Sequence, residues 1–381
     1  MTKEKIPDFR FSGYTDAWEE RKLGEVAEVT MGQSPSSTNY TANPSDYILV
    51  QGNADLKNGY VFPRVWTTQI TKTADAGDLI ISVRAPVGDV AKTAFDVVLG
   101  RGVAGIKGNE FLFQTLSKLK KDGYWKRLST GSTFESINSE DIKSTIIQIP
   151  SLPEQESIGN FFRQLDDLLT LHERKLDLLK EHKKTYLRLL FPAKGQKVPA
   201  LRFDSFEGDW EEKKVGEIFK VTRGQVLSAT KVSKIKDNKN QYPVYSSQTQ
   251  NNGLLGYYSE CLFSDAITWT TDGANAGTVN FRKGKFYSTN VNGVLLSESG
   301  YANKMVAEIL NSVAWKFVSK VGNPKLMNNV MSEITLSLPS LPEQEAIGNF
   351  FSTLDKEITQ VESKLASLNA MKATLLRKIF V

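Results

Sequence analysis

The chain has 381 residues, enough for two or three domains with full cores, and its 40% hydrophobic and 24% charged side chains set aside disordered, collagen-like and low-complexity classes. One cysteine, Cys261, leaves no material for an internal disulfide or a zinc cage, and both histidines, His172 and His182, sit in one highly charged segment, which argues against Cys/His chemistry. A formal net charge of +5 permits nucleic-acid binding without requiring it, and no apolar run approaches the roughly 18 to 20 residues of a bilayer span. Residues 1–10 (MTKEKIPDFR) lack the apolar stretch of a signal peptide. A cytoplasmic protein without a membrane partner is therefore expected.

In chain order, the entry segment 7–33 (PDFRFSGYTDAWEERKLGEVAEVTMGQ) returns at 199–225 (PALRFDSFEGDWEEKKVGEIFKVTRGQ), with Trp18 and Trp210, Gly24 and Gly216, and Gly32 and Gly224 in step. Short apolar runs follow it, such as Leu79 to Val83, Val97 to Leu99 and Ile146–Ile147, and in the second copy Val294 to Leu296. Gly, Asp, Asn and Pro punctuate them, which predicts strands and turns. Residues 111–128 and 303–320 carry helical spacing, so each body reads as α+β. Two polar stretches, 34–46 (SPSSTNYTANPSD) and 246–252 (SSQTQNN), read as long loops.

Each body then runs into a long segment, 149–192 or 338–381, and the two match at about 24 of 44 positions without a gap. Apolar residues recur at 4-3 spacing: Ile158, Phe162, Leu165, Leu169, then Leu176, Leu179, Lys183, and Ile347, Phe351, Leu354, Ile358, then Leu365, Leu368, Lys372. Sustained 3.5-residue periodicity predicts two helices that pair as a coiled coil, with these positions at the seam and available for partner docking. Each begins Ser-Leu-Pro-Glu, where Ser can cap, Pro suits the first turn and Glu can return a bond to the cap. The first helix delivers the chain to the second body, and by the repeat the second should travel back. The fold expected is thus α+β, with two pseudo-two-fold related globular bodies (1–148 and 199–337) separated by two long antiparallel coiled-coil helices, 149–198 with its linker and 338–381.

Chemistry is scarce. No phosphate-binding loop of the G-x-x-x-x-G-K-[ST] type occurs, the Gly100, Gly102, Gly105 run lacks the acidic residue of a dinucleotide site, and no adenine-methyltransferase or nuclease signature is found. No catalytic, cofactor-binding or metal-binding residue is assigned. Residues 1–150 hold 18 basic and 18 acidic side chains, so local grouping matters more than the total. Lys118, Lys120, Lys121, Lys126 and Arg127 group in the first body, and Lys231, Lys234, Lys236 and Lys239 in the second, beside polar loops suited to phosphate contact. Arg, Gln and Asn read base edges bidentately, which makes Arg64, Arg84, Arg101, Arg223, Gln225, Gln248, Gln250 and Asn252 candidates.

The doubled P-x-L-P-E-Q-E-x-I-x-x-F-F-x-x-L-D (150–166 and 339–355), the paired W-E-x-x-x-L/V-G-E (18–25 and 210–217) and GSTFESIN at 131–138 resemble the DNA specificity subunit of type I restriction-modification systems. The resemblance spans essentially the whole chain. It implies two target recognition domains, each reading half of a bipartite, asymmetric duplex sequence, and paired helices that fix the gap. It also implies a non-catalytic scaffold for two methyltransferase subunits and for restriction subunits, with S-adenosylmethionine, ATP and Mg²⁺ on those partners. The second body departs from the first where GSTFES meets Gly322 to Met327 (GNPKLM). A stand-alone DNA-modifying enzyme and a protein-only coiled-coil adaptor are the competing readings.

Overall fold

The computed structural model describes residues 6–129, 135–247 and 250–381. The chain divides into unit 1, residues 1–173 with 363–381, and unit 2, residues 174–362. Both long helices form, as Leu152–Leu189 and Leu341–Ile379, 38 and 39 residues long. Each begins in one unit and ends in the other. No helix among the described residues is long and apolar enough to cross a membrane.

Unit 1 is built on a six-stranded sheet in the order Val29–Met31, Val103–Ile106, Leu79–Ser82, Val90–Lys92, Tyr60–Val61, Leu56–Lys57. All neighbours are antiparallel except Val90–Lys92 and Tyr60–Val61. Against one face lies helix Glu110–Lys121, started by Asn109, whose side chain accepts from the Leu112 amide at 3.0 Å. A five-stranded sheet supplies the cover for the other face, in the order Tyr40–Thr41, Trp66–Thr67, Tyr47–Val50, Val97–Leu99, Lys72–Ala74. The shared core of the two sheets is aliphatic: Val50, Val61, Ala74, Ile80, Ala91, Val97, Leu99 and Val103 are all buried. The stretch 34–46, expected to be loop throughout, contributes the edge strand Tyr40–Thr41 to that second sheet. Tyr and Thr favour the pleated surface once a partner strand is present, and the partner, Trp66–Thr67, is remote in sequence.

Unit 2 builds its six-stranded sheet in the order Lys220–Arg223, Asn292–Leu296, Phe263–Thr270, Val279–Ser288, Tyr242–Tyr245, Leu254–Tyr258. This matches unit 1 over the first four strands and exchanges the last two, the inner strand of that pair being the earlier in the chain here and the later in unit 1. Its parallel pair again joins the fourth and fifth strands in that order. Helix Lys304–Val313 starts at Asn303, which accepts from the Val306 amide at 3.0 Å. The sheet residues Ile267, Trp269, Val279 and Leu295 pack with Met305, Val306, Leu310, Ile347 and Phe351 in the unit's main core. No second sheet covers the opposite face among the described residues.

The glycines shared by the entry segments mark close approaches. A Cβ on Gly32 would stand 2.1 Å from the carbonyl oxygen of Gly100, and one on Gly224 2.2 Å from that of Thr289, so no larger residue fits at either strand end. Within unit 1, the start of the first long helix runs antiparallel to the end of the second: Phe162 meets Phe380 at 5.6 Å, and Asp166 meets Lys372 further along. Within unit 2 the pattern recurs, with Tyr186 against Phe350 at 4.9 Å and Lys180 bridged to Glu362 at 2.8 Å. Of the seam positions, Phe162, Leu165, Leu169, Phe351, Leu365 and Leu368 are buried, while Leu176, Leu179, Leu354 and Ile358 are half-buried. Burial is deepest where each helix also packs on its own body, which is more than a free coiled coil would show.

Candidate nucleic-acid interface

The repeated P-E-Q-E motif is spent on anchoring each long helix. Glu154 is 1% exposed and takes two bonds of 2.7 Å from the Arg10 guanidinium, whose pKa that hydrogen bond raises. Arg202 and Glu343 repeat this bidentate pair at 2.8 and 2.7 Å. The glutamate expected to cap its own helix therefore binds the entry segment instead. The adjacent Gln155 donates to the Pro150 carbonyl at 2.9 Å and accepts from Asn109 at 2.9 Å, and Gln344 does the same with Pro339 and Asn303 at 2.8 and 2.9 Å. One side chain thus fixes both the turn before the long helix and the cap of the short one.

About three turns further along each long helix, at Asp166 and Asp355, the two units place ionic networks at equivalent positions and fill them differently. In unit 2, Lys183 bonds Asp355 at 2.7 Å and Glu308 at 3.0 Å, and Lys304 bonds both acids at 2.6 Å. Burial would lower the Lys304 pKa, but the two carboxylates outweigh it and the value ends raised; for Asp355 burial is likewise overridden by the lysines and its value ends lowered. In unit 1, Lys372 pairs with Asp166, which also accepts from Gln114 at 2.8 Å. Gln114 donates to Glu110 at 3.0 Å, and Glu110 pairs with Lys92 at 2.8 Å. Gln114 stands where unit 2 has Glu308, and Glu110 where it has Lys304.

Each network borders a cleft between the sheet and the helices of its own unit. The unit 1 cleft, about 320 Å³, is lined by Asn58, Tyr60, Lys92, Phe113, Lys120 and Lys372, with Lys92 over the Tyr60 and Phe113 rings at 4.9 and 4.7 Å. The unit 2 cleft, about 460 Å³, is lined by Lys180, Lys183, Asn252, Asn280, Asn311 and Thr359. Both present a left-handed asparagine at a hairpin turn, Asn58 and Asn252, each at φ 52. Asn252 was a sequence candidate; Asn58 was missed, although the Asn-Gly dipeptide between two strands is a strong hairpin signal.

The remaining candidates divide. In unit 1, Lys118 is held by Asp122 at 2.9 Å, Lys120 by Asp89, and Arg127 donates to the Asp122 carbonyl at 2.8 Å. Arg64 donates to the Ala54 carbonyl at 3.1 Å and lies 3.8 Å from Asp55. Arg84, Arg101, Lys121 and Lys126 are exposed. In unit 2, Lys231, Lys234, Lys236 and Lys239 are exposed, in no ion pair among the described residues, on a segment tied to strand Leu254–Tyr258 by the Ser233–Tyr257 bridge. Arg223 and Gln225 are exposed at and just beyond the end of strand Lys220–Arg223. Gln248 and part of the GSTFESIN motif, 131–134, lie outside the described residues, as does the side chain of Gln250. Among the described residues no three His, Cys, Asp or Glu side chains gather to hold a metal ion.

Comparison with known proteins decides the family. The model of the type I restriction modification DNA specificity domain matches twice, at residues 15–181 and 207–370. The chain belongs to this family. A Mycoplasma pneumoniae relative named as a type I specificity subunit is 37% identical over 220 residues, 55% of this chain and 83% of the relative. A Methanocaldococcus jannaschii relative named as a type I restriction enzyme specificity subunit is 35% identical over 185 residues, 46% of this chain, and the match spans only 43% of that relative. A crystal structure of a type I restriction-modification S subunit from M. genitalium superposes with a TM-score of 0.76 over 99% of both chains at 17% identity, which establishes the shared fold. For this specificity-family chain, the P-E-Q-E motif and the paired tryptophans are accounted for by anchoring and core packing, Trp18 and Trp210 being 5% and 2% exposed. The unpaired lysines, the left-handed asparagines and the exposed Arg and Gln side chains are not used in that anchoring.

Proposed function

We propose that the chain is the DNA-reading, non-catalytic subunit of a type I restriction-modification complex. Each unit reads one half of a bipartite, asymmetric duplex target, and the length of the two long helices sets the gap between the halves. Two methyltransferase subunits and restriction subunits assemble with it, S-adenosylmethionine, ATP and Mg²⁺ reside on those partners, and the assembly works in the cytoplasm. The observation that carries this reading is one frame built twice, with the same order over the first four strands of the sheet, the same helix caps and the same Arg–Glu anchors, while the sheet faces and loops differ between copies. A shared frame suits common docking, and differing loops suit two unlike half-sites.

Exchanging residues 20–148 for those of another family member, co-expressing with the methyltransferase and sequencing the methylated genome tests it. One half of the methylation motif should change and the other should not; an unchanged motif would falsify the assignment. In a second arm, removing seven residues from each long helix should alter the gap or abolish methylation. Altered half-sites at the original gap would sink the ruler role.

A further inference from the structure

The outer face of the unit 2 sheet holds a buried cation without a counterion. Arg282 is 7% exposed, yet no described carboxylate forms an ion pair with it, whereas Lys183, Lys304, Lys92, Lys372, Arg10 and Arg202 all have one. Burial lowers its pKa to about 10, so it stays charged at neutral pH. Its guanidinium lies 3.8 Å from the centroid of the Tyr245 ring, and its Nε donates to Thr268 Oγ1 at 3.1 Å. A cation desolvated this far is costly unless its surroundings return the energy. Unit 1 instead fills the corresponding face of its sheet with Val, Ile and Ala.

What the arginine touches gives it a use. Tyr245 ends strand Tyr242–Tyr245, its ring packs edge-on to Phe286 at 5.8 Å, and its carbonyl accepts from the Thr289 amide at 2.9 Å. The next residue, Ser246, accepts from the Thr289 hydroxyl at 2.9 Å and donates its amide to the carbonyl of Gly253 at 2.9 Å, and Gly253 directly follows the left-handed Asn252 that lines the cleft. A planar guanidinium clamped between a tyrosine face and a threonine hydroxyl fixes the ring plane in a way that an aliphatic filler would not.

We infer that Arg282 is a positioning residue for recognition: through Tyr245 it sets the aim of the Asn252 turn, and so the base preference of the half-site read by unit 2. The inference rests on the proposed function and names where in unit 2 the specificity is held. The test compares wild type, Arg282→Lys, Tyr245→Phe and the double variant Arg282→Met/Tyr245→Leu, which gives the face an aliphatic packing like that of unit 1, each in complex with the methyltransferase. Methylome sequencing reads the motif, and a thermal melt reports folding. Arg282→Lys and the double variant should lose about ten-fold of discrimination at one or two base pairs of the unit 2 half-site, with the other half-site intact, while Tyr245→Phe, which keeps the ring and removes only the hydroxyl that bonds the guanidinium, should lose less than Arg282→Lys. An unchanged motif in a folded double variant overturns the inference, and so does equal loss at both half-sites or a variant that only melts earlier. If wild type itself shows no bipartite motif, it is the proposed function that fails.

Discussion

Units 1 and 2 share the order of four sheet strands, a helix cap and an anchor, and they part at the sheet's last two strands and at the face of the sheet turned away from the short helix. Unit 1 covers that face with a second sheet and an aliphatic core; unit 2 leaves it to a small cluster of Ala266, Phe286 and Val294, flanked by the buried polar Thr268 and Arg282. The face that binds the long helices must match a common element and so stays alike. The other face is free to be rebuilt, and what lies on it bears on the loops above. The contrast shows that two copies of one frame can differ in the packing of that face without disturbing how either is mounted.

If the mounting is common, equivalent lesions should cost the same in both units. Phe162 and Phe351 are each fully buried at the helix start, and replacing either with Ala should lose about 3–5 kcal/mol of its unit's stability, read as matched shifts in denaturant unfolding. A two-fold disparity would break the equivalence. The ionic networks should behave unequally. Gln114→Glu would place a carboxylate in unit 1 beside Glu110 and Asp166, its present partners at 3.0 and 2.8 Å. A loss of about 2–3 kcal/mol at neutral pH is expected. The new acid's pKa would be raised in the fold, so the loss should fade as pH falls below about 5.

Smaller still is the difference between Asp355→Asn and Asp166→Asn. Asp355 faces two lysines and Asp166 one, so about 2 kcal/mol is expected for the first and about 1 for the second, both moderated by partial exposure. Because the Asp355 pKa is lowered in the fold, its stabilisation is present at neutral pH and is lost as pH falls through its folded value, below about 4. Melting curves of wild type and Asp355→Asn should therefore converge in acid. A constant gap down to pH 3 would remove the charge explanation.

Sequence revealed what is local or repeated. The 4-3 spacing gave both long helices to within a few residues, and Leu79–Ser82, Val97–Leu99 and Ile146–Ile149 are strands where apolar runs predicted them. Val97–Leu99 apart, the second sheet of unit 1 was invisible because its strands are two to four residues long and pair across large separations, such as Tyr47–Val50 with Val97–Leu99. Lys183 and Lys372 stood out as polar seam positions, but their carboxylate partners lie 172 and 206 residues away. Arg282, in the polar run NFRKGKF, looks like any exposed strand cation until the fold turns it inward. Of the basic groups, 231–239 kept its free lysines, whereas part of 118–127 proved to be paired with Asp89 and Asp122.

The aromatic cluster of unit 1 includes Phe380, stacked at 5.1 Å on Phe111 and edge-on to Trp18 at 6.4 Å. On the ribosome, that ring is made after every residue of unit 2. The first body to be translated is thus the second able to close, and until residue 380 emerges, Trp18, Phe111 and Phe162 lack the side chain that completes their cluster.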